Sequence, residues 1–135
     1  MTTEGRAHPF MIYQLPAIGW ACLIFISSSI TASQMPDMSI FRFDKVIHCG
    51  VYFVFAFLLY RAFRHQGRYP ALAHHAALVT IAAVVLFGAS DEFHQLYVPG
   101  RQCDIFDLMA DTSGGVLLVA AIGIKDRVWP SPPRN

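Results

Sequence analysis

Four apolar runs, each closed by a short polar stretch, set the pattern of the chain. The first, Leu15 to Ile30 (LPAIGWACLIFISSSI), follows Phe10, Met11, Ile12 and Tyr13, and with them reaches the roughly 20 residues that a helix needs to cross a bilayer. The polar lead before it holds Arg6 and His8, a weakly charged start for a secretory leader cleaved near Ala32. Three more apolar runs follow, so the first reads as a retained span. Pro36 and Asp37 break the pattern. The second run, Asp44 to Phe63 (DKVIHCGVYFVFAFLLYRAF), opens on charge and is apolar from Val51 to Tyr60; Asp44, His48, Tyr52 and Phe55 fall on one helical face. The third, about 73–97, passes from ALVTIAAVVLFGA to the polar SDEFHQ. Pro99-Gly100 predicts a tight turn. The fourth runs over about 104–124, with Asp104, Asp107 and Asp111 at i, i+3 and i+7 on a face that Gly114 and Gly115 extend. The pattern predicts an all-α fold, a polytopic membrane four-helix bundle with helices near 11–30, 44–63, 73–97 and 104–124, in one domain over 1–135.

Composition agrees. The chain is 55% hydrophobic and 14% charged, where a soluble domain carries about 25% charged residues. A net charge of +1 leaves no electrostatic footprint for nucleic acid. Cys22, Cys49 and Cys103 are scattered and form no CxxC pair, so they read as small buried hydrophobes rather than a disulfide or thiolate site. With no HExxH spacing either, no metal centre and no cofactor is expected.

Charge in the loops orients the bundle. The linker after the second run carries Arg61, Arg64 and Arg68 without an acid, and the tail carries Lys125, Arg127 and Arg134 against Asp126. The positive-inside rule places both on the cytoplasmic side, with both termini, and turns the other two loops outward. Polar groups far apart in sequence then meet at one depth, the outer one. Asp44, Lys45 and His48 open the second helix there, and Asp91, Glu92, His94 and Gln95 close the third. Arg101 sits in the outer turn, and Asp104, Asp107 and Asp111 fill the outer half of the fourth helix. An Asp at the centre of a span costs about 2.5–3.5 kcal/mol, while each Leu, Ile, Phe or Val returns about 0.3–0.6 kcal/mol. Three lipid-facing carboxylates would therefore spoil the fourth span, so they lie near the interface or face the bundle.

The residues admit several chemistries. The aspartate triple fits a proton relay, a cation site or a general base; its structural alternative is a hydrogen-bond network with His48 and Arg101. Arg101 either pairs with these carboxylates or offers its planar fork to a lipid phosphate, with Lys45 as second cation. It is the permanent cation nearest Asp107 in sequence, and Lys45 and His48 are its rivals from the second helix. Asp91 reads as a wet helix end, and Tyr52, Phe55 and Tyr97 as packing or interfacial aromatics. Gly114-Gly115 permits close helix approach. No GxSxG and no phosphate-cradling glycine loop is present, which argues against a serine nucleophile. Candidates for catalysis are Asp107, Glu92 and His48. Candidates for ligand binding are Asp44, Lys45, His48, Glu92, Gln95, Arg101, Asp104, Asp107 and Asp111.

Two blocks among these residues, DKVIHCGVYFVFAFLL and SDEFHQLYVPGRQCDIFDLMADTSGG, resemble the VanZ-like family of small bacterial membrane proteins. The matches are Asp-Lys followed by His and Tyr, then acidic-x-x-Gln, Pro-Gly-Arg, and the spaced aspartates before Gly. Asp111 stands where many members have Asn, and Leu118 where a further Gly often occurs. The resemblance implies a multi-pass protein of the bacterial inner membrane with a cell-envelope role, of the kind linked to glycopeptide (teicoplanin) resistance. The leading expectation is binding rather than catalysis: an anionic lipid-linked envelope component, or a glycopeptide antibiotic, held in an outer-leaflet polar pocket. The alternative is a membrane-embedded hydrolase or transferase acting on a lipid phosphate, with Asp107 or Glu92 as base and Arg101 as anion clamp. A proton-coupled carrier is a third class. Expected partners are membrane lipids and the lipid-linked precursor or glycopeptide, not nucleic acid; the oligomeric state is left open.

Overall fold

The computed structural model describes residues 9–31, 33 and 43–128. A π-helical turn, Phe10–Gln14, leads into α1 (Leu15–Ser28); α2 (Asp44–Arg64), a short α3 (Pro70–His74), α4 (Ala76–Gln95) and α5 (Ile105–Val128) follow. The segments Phe10–Ser28, Asp44–Arg64, Ala76–Gln95 and Ile105–Arg127 are each long and apolar enough to cross a membrane. The four pack together as an all-helical bundle. Their outward faces carry exposed Leu23, Ile26, Val46, Leu78, Leu86 and Val116, the surface expected of helices solvated by lipid.

Local chemistry explains the departures from the expected boundaries. The π-helical turn lies directly ahead of Pro16, which has no N–H to donate to an α-helical ladder. The third run is two helices rather than one over 73–97. Pro70 starts α3 at a position where a missing N–H costs nothing. His75, at φ −97° and ψ 23°, leaves the helical region before α4 begins. The fourth helix runs on to Val128, past the expected 124, with Lys125 and Arg127 favourably placed against the dipole of its last turn. Among the described residues only Gly100 has positive φ, 77°, in the turn expected at Pro99-Gly100. Arg6, His8, Ala32, Pro36, Asp37 and Arg134 lie outside the described residues.

α5 lies against both α2 and α4. A Cβ on Gly114 would stand 2.7 Å from the backbone nitrogen of Phe53 and 3.1 Å from the carbonyl carbon of Tyr52 in α2. A Cβ on Gly115 would stand 3.2 Å from a Val84 methyl in α4. Below this crossing the core joins Ile24, Tyr52, Phe55, Ala56, Val84 and Leu118. Tyr52, Phe55 and Phe87 contact one another through their rings. Leu118, where the resemblance led one to look for glycine, is a buried member of this core. α1 is fastened by Trp20, whose indole N–H donates to the Val51 carbonyl at 3.1 Å.

Candidate functional site

The start of α2, the end of α4 and the start of α5 lie at the same end of the bundle. Asp104 builds one corner. Its side chain accepts the Phe106 N–H at 2.8 Å, capping α5, while its own N–H donates to Glu92 Oε2 at 2.7 Å. Glu92, in the last turn of α4, thereby ties that helix to the first turn of α5. Asp107 then faces α2. Lys45 bridges the two helices: its ammonium lies 2.7 Å from Asp104 Oδ2, 3.3 Å from Asp44 Oδ2, and in contact with Asp107 Oδ1. That hydrogen bond to Lys45, helped by the one from Phe106, holds the Asp104 carboxyl below the usual carboxylate range.

Deeper in, His48 Nδ1 lies 2.9 Å from Asp111 Oδ1, with Asp111 1% exposed. The other ring nitrogen, Nε2, lies 3.9 Å from Asp107 Oδ1 and 4.0 Å from Asp44 Oδ1. A Cβ on Gly88 would meet Asp111 Oδ2 at 3.3 Å and Leu108 Cδ1 at 3.1 Å, so α4 makes room for this carboxylate by lacking a side chain. The buried Tyr52 hydroxyl lies beside Asp111, and Glu92 Oε1 is buried without a hydrogen-bond partner among the described residues.

A second polar contact ties in α1. Asp91 is buried and accepts a hydrogen bond from Ser28 Oγ at 2.6 Å and a long one from Gln95 Nε2 at 3.4 Å. Beside it, His94 Nε2 lies 3.0 Å from Ser29 Oγ and its ring packs on Phe25. Asp91, read from sequence as a wet helix end, is thus an interhelical contact. Ser28 and Ser29 were missed; their only signal was a polar cluster closing an apolar run at the right depth.

Of the residues picked from sequence, Asp44, Lys45, His48, Glu92, Asp104, Asp107 and Asp111 come together, and Gln95 sits next to them through Asp91. Arg101 occupies the Val98–Arg101 turn at the same end, half-buried, with its N–H donating to the Val98 carbonyl at 3.1 Å. The cation placed on Asp104 and Asp107 is Lys45, one of the two rivals to Arg101. Asp44, Asp91, Glu92, Asp104, Asp107 and Asp111 make this end of the bundle acidic. Arg61, Arg64 and His74 lie at the opposite end, where the Arg64 guanidinium donates to the Ala73 carbonyl at 3.3 Å.

Four membrane-length helices around an acidic interior at one end define a multi-pass membrane protein with a polar site built into its bundle. The VanZ/LLP1 family model matches residues 13–125, which takes in nearly all of the four spans and every residue of the site, and the chain belongs to that family. No curated protein and no solved structure matches the chain.

Proposed function

We propose that this is a cell-envelope protein of the cytoplasmic membrane that holds the polar headgroup of a lipid-linked, phosphate-bearing saccharide at the acidic end of its bundle. The observation that carries this reading is the meeting of α2, α4 and α5 side chains at one end, beside the Arg101 turn and bordered by lipid-facing apolar surface. Carboxylates accept hydrogen bonds from sugar hydroxyls, and the planar fork of Arg101 suits a phosphate. A hydrocarbon tail stays in the bilayer along the exposed faces of the helices. The arginines after α2 support an orientation with the acidic end on the outer side, where envelope precursors are used.

The test is binding by tag-free protein in lipid nanodiscs, with four probes: a lipid diphosphate carrying a saccharide, the lipid diphosphate alone, the free saccharide, and teicoplanin. The complete ligand should bind about tenfold or more tighter than either part, a gain of about 1.4 kcal/mol or more. Arg101→Lys, which keeps the charge but loses the fork, should weaken binding at unchanged thermal midpoint. Equal affinity for the bare lipid diphosphate, or undiminished affinity in Arg101→Lys, would refute the assignment. Teicoplanin binding best would make the antibiotic the ligand. Phosphate release abolished by Asp107→Asn would make the protein a hydrolase.

A further inference from the structure

We infer that Asp44, His48 and Asp107 form a site for a first-row divalent metal ion, with Lys45 as the competing cation. Asp44 and His48 lie one turn apart on α2, and Asp107 faces them from the first turn of α5. One donor atom from each lies within 4.8 Å of the others. His48 Nε2 is 4.0 Å from Asp44 Oδ1 and 3.9 Å from Asp107 Oδ1. Those gaps are too long for hydrogen bonds. An ion bound about 2.0–2.2 Å from each atom would draw the three donors together by roughly half an ångström.

Two further observations point to an ion rather than a mere patch of acid. The first is the back of the histidine. His48 Nδ1 is engaged by the carboxylate of Asp111, buried and 2.9 Å away. A ligating imidazole typically gives its second N–H to such a group, which fixes the tautomer and aims the free nitrogen at the metal. The second is Glu92, 3% exposed and within electrostatic reach of Asp107, Asp111 and His48. Its Oε2 accepts the Asp104 N–H, but Oε1 has no hydrogen-bond partner. A buried carboxylate oxygen is costly without a donor. A metal-bound water, or a hydroxyl of a bound ligand, supplies one.

The donor set selects the ion. One imidazole and two carboxylates suit Zn²⁺ or Mn²⁺ better than Ca²⁺ or Mg²⁺, which take oxygen ligands. Three protein donors leave coordination positions open for phosphate oxygens. The inference thus rests on the headgroup reading and deepens it, because the ion lets an acidic pocket accept an anionic head. Lys45 touches Asp44 and Asp107 as well as Asp104. An ion on the first two leaves the ammonium with Asp104, and the two cations compete. The sequence alone led to the opposite expectation, since the three ligands are split between two helices and form no short motif.

The experiment is metal binding by full-length, tag-free protein in detergent, stripped with chelator and desalted. Mn²⁺ is titrated by electron paramagnetic resonance, and retained Zn²⁺ is measured by elemental mass spectrometry. One ion should bind per chain. His48→Gln and Asp107→Asn should abolish saturable binding, and Asp111→Asn should weaken it by about 10–100-fold. Lys45→Gln should tighten it by about tenfold or more, because a like charge beside the ion is removed. That gain of function keeps the test decisive even where a ligand variant fails to fold. No retained ion in either the wild type or Lys45→Gln would overturn the inference, as would binding that His48→Gln leaves intact. Repeating the headgroup titration with EDTA separates the two readings. Headgroup binding that survives EDTA, in protein that takes up no ion, removes the metal site alone. Ion binding without headgroup binding removes the headgroup reading alone.

Discussion

Gly114→Ala is the smallest change that should disturb both the fold and the site. The new methyl carbon would lie 2.7 Å from the Phe53 nitrogen and 3.1 Å from the Tyr52 carbonyl carbon. The first distance is roughly 0.8 Å inside the lower end of optimal heavy-atom separation. Both neighbours are backbone atoms inside α2, so no side chain can rotate away and the helices must move apart. Overpacking of this kind costs about 1–3 kcal/mol, against about 1 kcal/mol that Ala gains over Gly as a helix former. The net expectation is a loss of up to about 2 kcal/mol. Gly123→Ala is the internal control: a Cβ there meets nothing within 4 Å, so only the propensity gain remains. The assay is reversible unfolding in mixed micelles with added dodecyl sulfate, followed by helical circular dichroism and by the fluorescence of Trp20, which bonds α1 to α2. Because α5 carries Asp107 and Asp111 while α2 carries Lys45 and His48, Gly114→Ala should also weaken ligand or ion binding, and Gly123→Ala should not. Equal stability of the two variants would refute the argument that this helix crossing has no room for a methyl group.

Three further predictions probe the polar end. Asp111→Ala should destabilise by about 1–3 kcal/mol, since it strips the partner from half-buried His48, whereas Asp111→Asn keeps a hydrogen-bonding group and should cost less; the same unfolding assay ranks them. The lowered carboxyl of Asp104 favours the folded state above its unfolded pKa near 3.9 and loses that contribution as pH falls through the lower folded value. Asp104→Asn should therefore flatten the acid limb of a stability-versus-pH curve below about pH 4, and an unchanged limb would remove Asp104 from the account. In a cysteine-free background, Gln66→Cys should be labelled from the cytoplasmic side and Pro99→Cys from the outside; the reverse pattern would overturn the assigned orientation.

The spans were legible because hydrophobic runs of bilayer length admit few other structures, and the depth of the polar groups followed from counting along them. Asp104, Asp107 and Asp111 share a face, as their spacing predicted, and Gly114 marks a close helix approach. What spacing cannot say is which neighbour a face meets. That Lys45 sits on Asp104 and Asp107 depends on where α2 crosses α5, and Arg101 was the nearer cation only along the chain. The Ser28–Asp91 bond joins residues 63 apart, and nothing local marks either as the other's partner. Gly88 looks like any glycine in an apolar run until Asp111 is found beside it. The break at His75 falls where His74 and His75 interrupt the apolar residues, at the very start of the expected run, so the run as a whole still read as one helix.

Charge balance ties the fold to the function. Six carboxyl groups, Asp44, Asp91, Glu92, Asp104, Asp107 and Asp111, crowd one end of a bundle whose sides carry exposed apolar side chains. Lys45 answers three of them, Ser28 and Gln95 hydrogen-bond Asp91, and His48 answers Asp111. A purely structural network would be expected to close on itself, because a buried polar group left without a partner is destabilising and an apolar replacement is often no worse. Here the open positions are not scattered. Glu92 Oε1 and His48 Nε2 both lie close to Asp107, where α2, α4 and α5 meet. Acceptors outnumber donors at that point, so what completes it must bring positive charge or hydrogen-bond donors. A bare phosphate brings neither. A metal ion brings the first and a saccharide the second, so the ion and the sugar-bearing headgroup complement each other at this site.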